Sequence, residues 1–125
     1  MIFDTDILIW FTRGNTKAAA WLDGAPRKYI SAQSYMELLQ GAKDSRELKS
    51  AKNYIRESGF HLLPLTENIS HRAMVYVEEF GLSHHLGAGD ALIAATAVEN
   101  GLPLATGNAK HFRAIKDLEL KVFKP

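Results

Sequence analysis

Short apolar runs alternate with amphipathic stretches along the chain, and glycine or proline marks most of the joints. Met1-Ile2-Phe3, closed by Asp4, reads as a strand buried on both faces, as in a parallel sheet. The run after Asp6, Ile7 to Phe11, is too continuous for periodicity to assign and is placed in a helical turn under the sheet. Ala18, Ala19, Trp21 and Leu22 predict a short helix stopped near Gly24 and Pro26. Tyr29-Ile30-Ser31 follows as a second strand, and Met36, Leu38 and Leu39 predict a helix from Gln33 that ends at Gly41. Asp44, with Glu47 three residues on, has the form of a capping box. Leu48, Ala51 and Ile55 form the buried face of the helix it opens, which Gly59 ends.

His61-Leu62-Leu63 gives a third strand before Pro64, and Ile69, Ala73, Tyr76 or Val77, and Phe80 an amphipathic helix closed by Gly81. From about Gly89 to Asn100 the chain is apolar nearly all round, so this helix belongs at the centre of the fold. Leu104-Ala105-Thr106 and Lys121-Val122-Phe123 complete five strands. Strands separated by helices imply right-handed crossovers. The expected architecture is a three-layer α/β/α sandwich around a mainly parallel five-stranded sheet. The segments around Thr12 to Lys17 and His84 to Gly87 read as loops near the strand-end crevice.

At 125 residues the chain has room for one domain, residues 1–125, with a sizeable core. An apolar fraction of 46% fits a globular protein, and no apolar run is long enough to span a bilayer. The N-terminus does not read as a secretory leader. The absence of cysteine excludes disulfides and thiolate zinc sites and fits a cytoplasmic setting.

A net charge of +1 says little, but its distribution says more. Arg46, Lys49, Lys52 and Arg56 recur at helical spacing and put cations on one helix face. Lys110, Arg113 and Lys116 form a second cluster. Either cluster can track a phosphate backbone, and either can simply be a solvated surface.

The polar residues at strand ends carry the chemistry. Asp4 ends the first strand, Glu37 lies in the helix after the second, Asp90 opens the most apolar helix, and Asn108 follows the fourth strand. Each has an ordinary local explanation: a helix cap for Asp4 and Asp90, a solvated helix face for Glu37, a turn for Asn108. In an open parallel sheet, however, all four would meet in the crevice beyond the strand ends. Crowded carboxylates are relieved by protonation or by a cation. Hard oxygen donors point to Mg²⁺, with Mn²⁺ possible, and so to phosphoryl chemistry.

Four segments, in order, are similar to those of the PIN-domain family of metal-dependent ribonucleases, particularly its VapC-like toxins. They are Phe3 to Ile9, Ser34 to Gly41, Gly89 to Ala97, and Leu104 to Phe112. The resemblance covers essentially the whole chain. It implies that Asp4 and Asp90 are the principal metal-binding acids and Glu37 the third acid. Asn108 matches a position that holds Asp or Asn, and here its neutral amide lowers the charge and weakens any second metal site. Thr106 matches a supporting hydroxyl, and Asp6 is assigned a supporting role beside Asp4. An RNA substrate, a small cognate antitoxin and a homodimer are further implications.

Three other readings are weaker. Asp4-Thr5-Asp6 resembles the start of a DxD-type phosphatase, but Asp90 is followed by Ala, Leu, Ile, Ala and Ala, where such enzymes need a later acidic pair. A catalytically silent PIN-fold binding module would have a broken acidic set, and here all three acids are intact. A stand-alone RNA-processing nuclease would share these residues and lack the antitoxin. The five histidines show no ligand pattern, and Ser34 has no recognisable catalytic partners.

Overall fold

Five short strands, none longer than three residues, set the frame. The computed structural model describes residues 1–125. In chain order these are β1 (Ile2–Phe3), α1 (Thr5–Thr12), α2 (Thr16–Gly24), β2 (Tyr29–Ser31), α3 (Ala32–Gln40), α4 (Ser45–Glu57) and β3 (His61–Leu63). Then come α5 (Glu67–His84), α6 (Ala88–Glu99), β4 (Leu104–Thr106), α7 (Ala109–Phe112) and β5 (Leu120–Val122).

The sheet order is β3-β2-β1-β4-β5, and every pairing is parallel. From β1 the chain winds outward through β2 and β3 on one side and through β4 and β5 on the other. The order therefore reverses between β1 and β4, where open α/β sheets form a ligand crevice. Register aligns Ile2 with Leu104 and Phe3 with Ala105, so the residues after the two strands emerge side by side.

Strand alternation divides the core into two layers. Ile2 and Leu104 pack with Ile69, Ala73 and Tyr76 of α5, the small residues of α6, and Phe112. Phe3, Ile30 and Ala105 face Ile7 and Leu8 of α1, Leu22 of α2, Leu38 of α3 and Ile55 of α4. The result is α/β/α. The run Ala91 to Ala97, only Leu92 of which is not fully buried, lets α6 lie close to α5. No helix is long and apolar enough to cross a membrane.

Several local expectations need correction. Gly81 does not close α5, which runs on to His84. A glycine inside a helix costs only about 1 kcal/mol relative to alanine. Here the helix ends instead where His85 adopts a left-handed conformation (φ 54°) and Leu86 is buried beyond it. That apolar residue just past a left-handed cap is a common way to anchor a helix end. Leu48 is not on the buried face of α4 but 38% exposed, so Ile55 anchors that helix with Ala51 only half-buried. Glu47 accepts from the backbone N–H of Lys43, not of Asp44, although Asp44 does cap Glu47. Asp90 is the third residue of α6; Gly87 is the cap. Of the two expected loops, Thr12 and Thr16–Lys17 belong to helices, and His84 to α5.

Ile93→Ala, which removes a fully buried side chain from α6, should cost about 2–5 kcal/mol in urea unfolding. Leu82→Ala, at a residue 98% exposed, should change stability by less than ~0.5 kcal/mol.

Candidate metal centre at the strand ends

Asp4 leaves β1 at the switch point and is only 4% exposed. Its extended backbone makes it the N-cap of α1, and Oδ1 accepts from the N–H of Thr5 at 2.7 Å. Its other oxygen accepts from the Thr106 hydroxyl, 2.7 Å away across the β1–β4 junction. The Thr106 hydroxyl in turn accepts from the N–H of Asn108 at 3.0 Å, so one buried hydroxyl ties the two strand ends together.

Thr5 makes a second link. Its hydroxyl donates to Glu37 Oε1 at 2.6 Å, while Gln33, one turn earlier on α3, donates to Oε2 at 3.0 Å. Both Glu37 oxygens are thus engaged. The first turn of α6 passes this pair at Gly89, where an added Cβ would stand 2.7 Å from Glu37 Oε2. Only glycine fits there without moving the carboxylate.

Asp6 reaches the loop after β4, accepting from the N–H of Gly107 at 2.8 Å through Oδ2. A Cβ at Gly107 would come within 2.6 Å of that oxygen. Asp6 Oδ1 is buried and has no hydrogen-bond partner in the protein. Asp90 stands across from these groups with His111 Nδ1 3.4 Å from its Oδ2.

The electrostatics follow from this crowding. Burial, then the charges of Asp6 and Asp90, raise the Asp4 pKa from 3.8 to about 7, against the hydrogen bonds from Thr106 and Thr5. That shift disfavours the ionised form by ~4 kcal/mol. Asp6 is also raised, chiefly by burial, although Gly107 opposes it. Burial is again the main cause for Asp90, where His111 opposes and the Glu37 charge adds.

Asp4, Glu37, Asp90, Thr106 and Asp6 therefore share one crevice. Asn108 joins through its backbone; its side chain makes no cap bond and the residue is exposed. Lys110 is exposed on α7, two residues beyond. The α4 stripe of Arg46, Lys49, Lys52 and Arg56 is exposed, and Arg56 bonds Asn53 on its own helix.

No three His, Asp or Glu side chains close into a ready-made metal cage. Mg²⁺ needs none, since it keeps several waters and takes one or two carboxylates. The orphaned Asp6 Oδ1 and the raised carboxyls beside it are suited to such a partly hydrated cation. Sequence reasoning missed Thr5, Gln33, His111 and the two glycines. Gln33 four residues before Glu37, and His111 three after Asn108, were the available signals.

The model of the PIN domain family matches residues 1–118. The chain belongs to the PIN-domain family. Ribonuclease VapC10 of Mycobacterium tuberculosis is 35% identical over 123 residues, covering 95% of this chain and 90% of that protein. Ribonuclease VapC of Rickettsia bellii is 32% identical over 126 residues, covering 96% and 93%. Among solved structures, a toxin–antitoxin complex from Klebsiella pneumoniae superposes with a TM-score of 0.78 at 30% identity, covering 94% of this PIN domain and 93% of that chain. VapBC2 from Rickettsia felis, bound to promoter DNA, gives 0.80 at 23% identity over 99% and 100% of the two chains, and shows the fold alone.

A raised carboxyl pKa means that the folded state binds the proton more tightly than the unfolded one. In chelator, the contribution of Asp4 to stability should fall as pH rises from about 4 to about 7 and stay low above that. Asp4→Asn removes the penalty. At pH 8 it should melt at least ~4 °C higher than the wild type, with the difference vanishing near pH 4. Calorimetric melting at both pH values checks this; equal melting temperatures at pH 8 contradict it.

Proposed function

We propose that this chain is a divalent-metal-dependent endoribonuclease, a single catalytic domain over residues 1–125, and the toxin of a toxin–antitoxin pair acting in the cytoplasm. The buried Asp4 carboxyl at the β1–β4 switch point, crowded by Asp6 and Asp90, carries the reading. The VapC ribonucleases among its relatives support the activity, and the Klebsiella complex supports the partner. That complex also favours the toxin over a stand-alone processing nuclease.

Mg²⁺ is the ion we favour, with Mn²⁺ as the alternative, because the donors are hard oxygens and the chain has no thiolate. Asp4 and Asp90 would hold it, with Glu37 and Asn108 reaching it through water. When bound, such an ion supplies a Lewis acid and a water of lowered pKa. The chain does the rest. Thr106 and Thr5 fix the Asp4 carboxylate from two sides. Thr5 and Gln33 hold Glu37 in one orientation, leaving its remaining lone pairs to orient a water and receive its proton. Asp6 braces the Gly107 loop, and with it Asn108. Lys110, at the rim, meets an RNA phosphate, and the α4 stripe extends the track.

Inhibition follows from the same charges. Met36, 49% exposed on α3, offers an antitoxin an apolar anchor beside Glu37. An arginine or lysine directed at Glu37 and Asp90 would replace the cation's charge. A homodimer completes the proposed assembly.

Purified protein should cleave RNA with Mg²⁺ or Mn²⁺ and stop in chelator. Asp4→Asn and Asp90→Asn should each slow cleavage by at least ~100-fold while folding normally. Metal-independent cleavage, or none on any RNA, contradicts the proposal. Neutralising Arg46, Lys49, Lys52 and Arg56 together should flatten the salt dependence of RNA binding, by about 0.7 in log–log slope for each phosphate no longer neutralised. An unchanged slope returns α4 to a merely solvated face.

A further inference from the structure

Hydrolysis assisted by a metal ion acts on a phosphodiester, a group that RNA and DNA share. The carboxylates of the crevice face phosphate and cation and carry no information about the sugar. What tells the two polymers apart at a given position is the ribose 2′-hydroxyl, which both donates and accepts hydrogen bonds. Reading it calls for a neutral polar group fixed beside the acids and open to the substrate. Few groups qualify. The Thr5 and Thr106 hydroxyls give their hydrogens to Glu37 and Asp4. His111 is drawn to Asp90, its Nδ1 3.4 Å from Oδ2. The Asn108 side chain makes no cap bond and its residue is exposed, so the helix it precedes does not hold its amide.

Gln33 differs. It lies in the first turn of α3, one turn before Glu37, and its Nε2 donates to Glu37 Oε2 at 3.0 Å. Only the amide nitrogen can donate to a carboxylate, so this partner settles which end of the amide is the oxygen. Gly89 approaches the same group: an added Cβ there would stand 3.2 Å from Gln33 Nε2 and 3.9 Å from its Cδ. The amide is thus pinned between Glu37 and the first turn of α6. Its Oε1 takes no hydrogen bond within the protein and is not buried, so a ligand can reach it. Amide bond lengths keep that oxygen within about 6 Å of Glu37 Oε2. A sugar next to a phosphate held at the acids comes within its reach.

We infer that Gln33 reads the sugar. Its Oε1 accepts a hydrogen bond from the 2′-hydroxyl of a nucleotide flanking the scissile phosphate, while its Nε2 keeps that oxygen in place by bonding Glu37. The inference rests on the ribonuclease reading and adds to it the residue that selects ribose over deoxyribose. A deoxyribose at that position leaves Oε1 facing a C–H in place of a donor. One such hydrogen bond corresponds to a discrimination of about tenfold.

The test uses an oligoribonucleotide that the wild type cuts at one mapped bond, and two versions with a single 2′-deoxy sugar, on the 5′ or the 3′ side of that bond. In Mg²⁺ the wild type should cut one of the deoxy versions about tenfold more slowly, by kcat/KM, than the all-ribose strand. Gln33→Met keeps the length of the side chain and removes both amide groups. It should slow all three strands, because Glu37 loses a donor, and bring their rates to within about twofold of one another. A residue that only positioned Glu37 would slow the three equally and leave the wild-type ratio unchanged. Affinities of the same strands, measured by fluorescence anisotropy with Ca²⁺ in place of Mg²⁺, should lose the ratio in the same way. They decide the matter if Gln33→Met cuts too slowly to follow. The inference is overturned if the wild type ignores both deoxy substitutions, or if the ratio survives in Gln33→Met. Either result, with RNA still cut, leaves the ribonuclease reading standing; no cutting of any strand overturns both.

Discussion

The repulsion and desolvation of carboxylates at the β1–β4 junction is the constraint around which the rest is arranged. Asp4 is almost completely shielded from solvent, and its ionised form is opposed by burial and by Asp6 and Asp90 together. Hydrogen bonds from Thr5 and Thr106 offset only part of this. The fold holds in place a group of carboxylates that is electrostatically unfavourable when ionised, a conflict that a bound cation would relieve. That conflict between local stability and charge is common where function is built into a scaffold.

Rigidity around the acids has a visible cost in sequence freedom. Gly89 and Gly107 admit no side chain without displacing Glu37 or Asp6. Thr5 serves two acids at once, donating its backbone N–H to Asp4 and its hydroxyl to Glu37. The Thr5–Glu37 and Thr106–Asp4 hydrogen bonds span 32 and 102 residues of sequence, so the crevice forms only when the whole sheet has closed. Orientation of the carboxylates is then inherited from strand register rather than from any one loop.

β1, β2 and β4 were legible because each is a short apolar run with a polar residue at its end, whereas β5, expected at Lys121 to Phe123, lies one residue earlier at Leu120–Val122; the order of strands and helices implied a parallel sheet. Asp4 stood out as a candidate for the same reason, and Glu37 and Asp90 as carboxylates set in apolar helical stretches. What local pattern could not give is contact across the sheet. Gln33 reads as an ordinary polar helix residue until Glu37 is placed beside it, and His111 as a stray histidine until α7 brings it to Asp90. Gly81 misled because a glycine stops a helix only when no packing face carries the helix through it, and α5 keeps its core packing from Ile69 to Phe80. Helical periodicity left Tyr76 and Val77 as alternatives for the core face; packing against α6 buries Tyr76 to 7% exposure and leaves Val77 at 37%.

Paramagnetic broadening by Mn²⁺ of the side-chain carboxyl ¹³C signals tests the central claim most directly. At sub-stoichiometric Mn²⁺ and pH 8, the signals of Asp4, Asp6 and Asp90 should broaden first, and excess Mg²⁺ should restore them. Asp23, Asp117 and Glu119, on exposed surface, should remain sharp. Broadening that begins at those exposed acids and spares Asp4 and Asp90 would contradict the claim that the strand-end carboxylates are built to hold a cation.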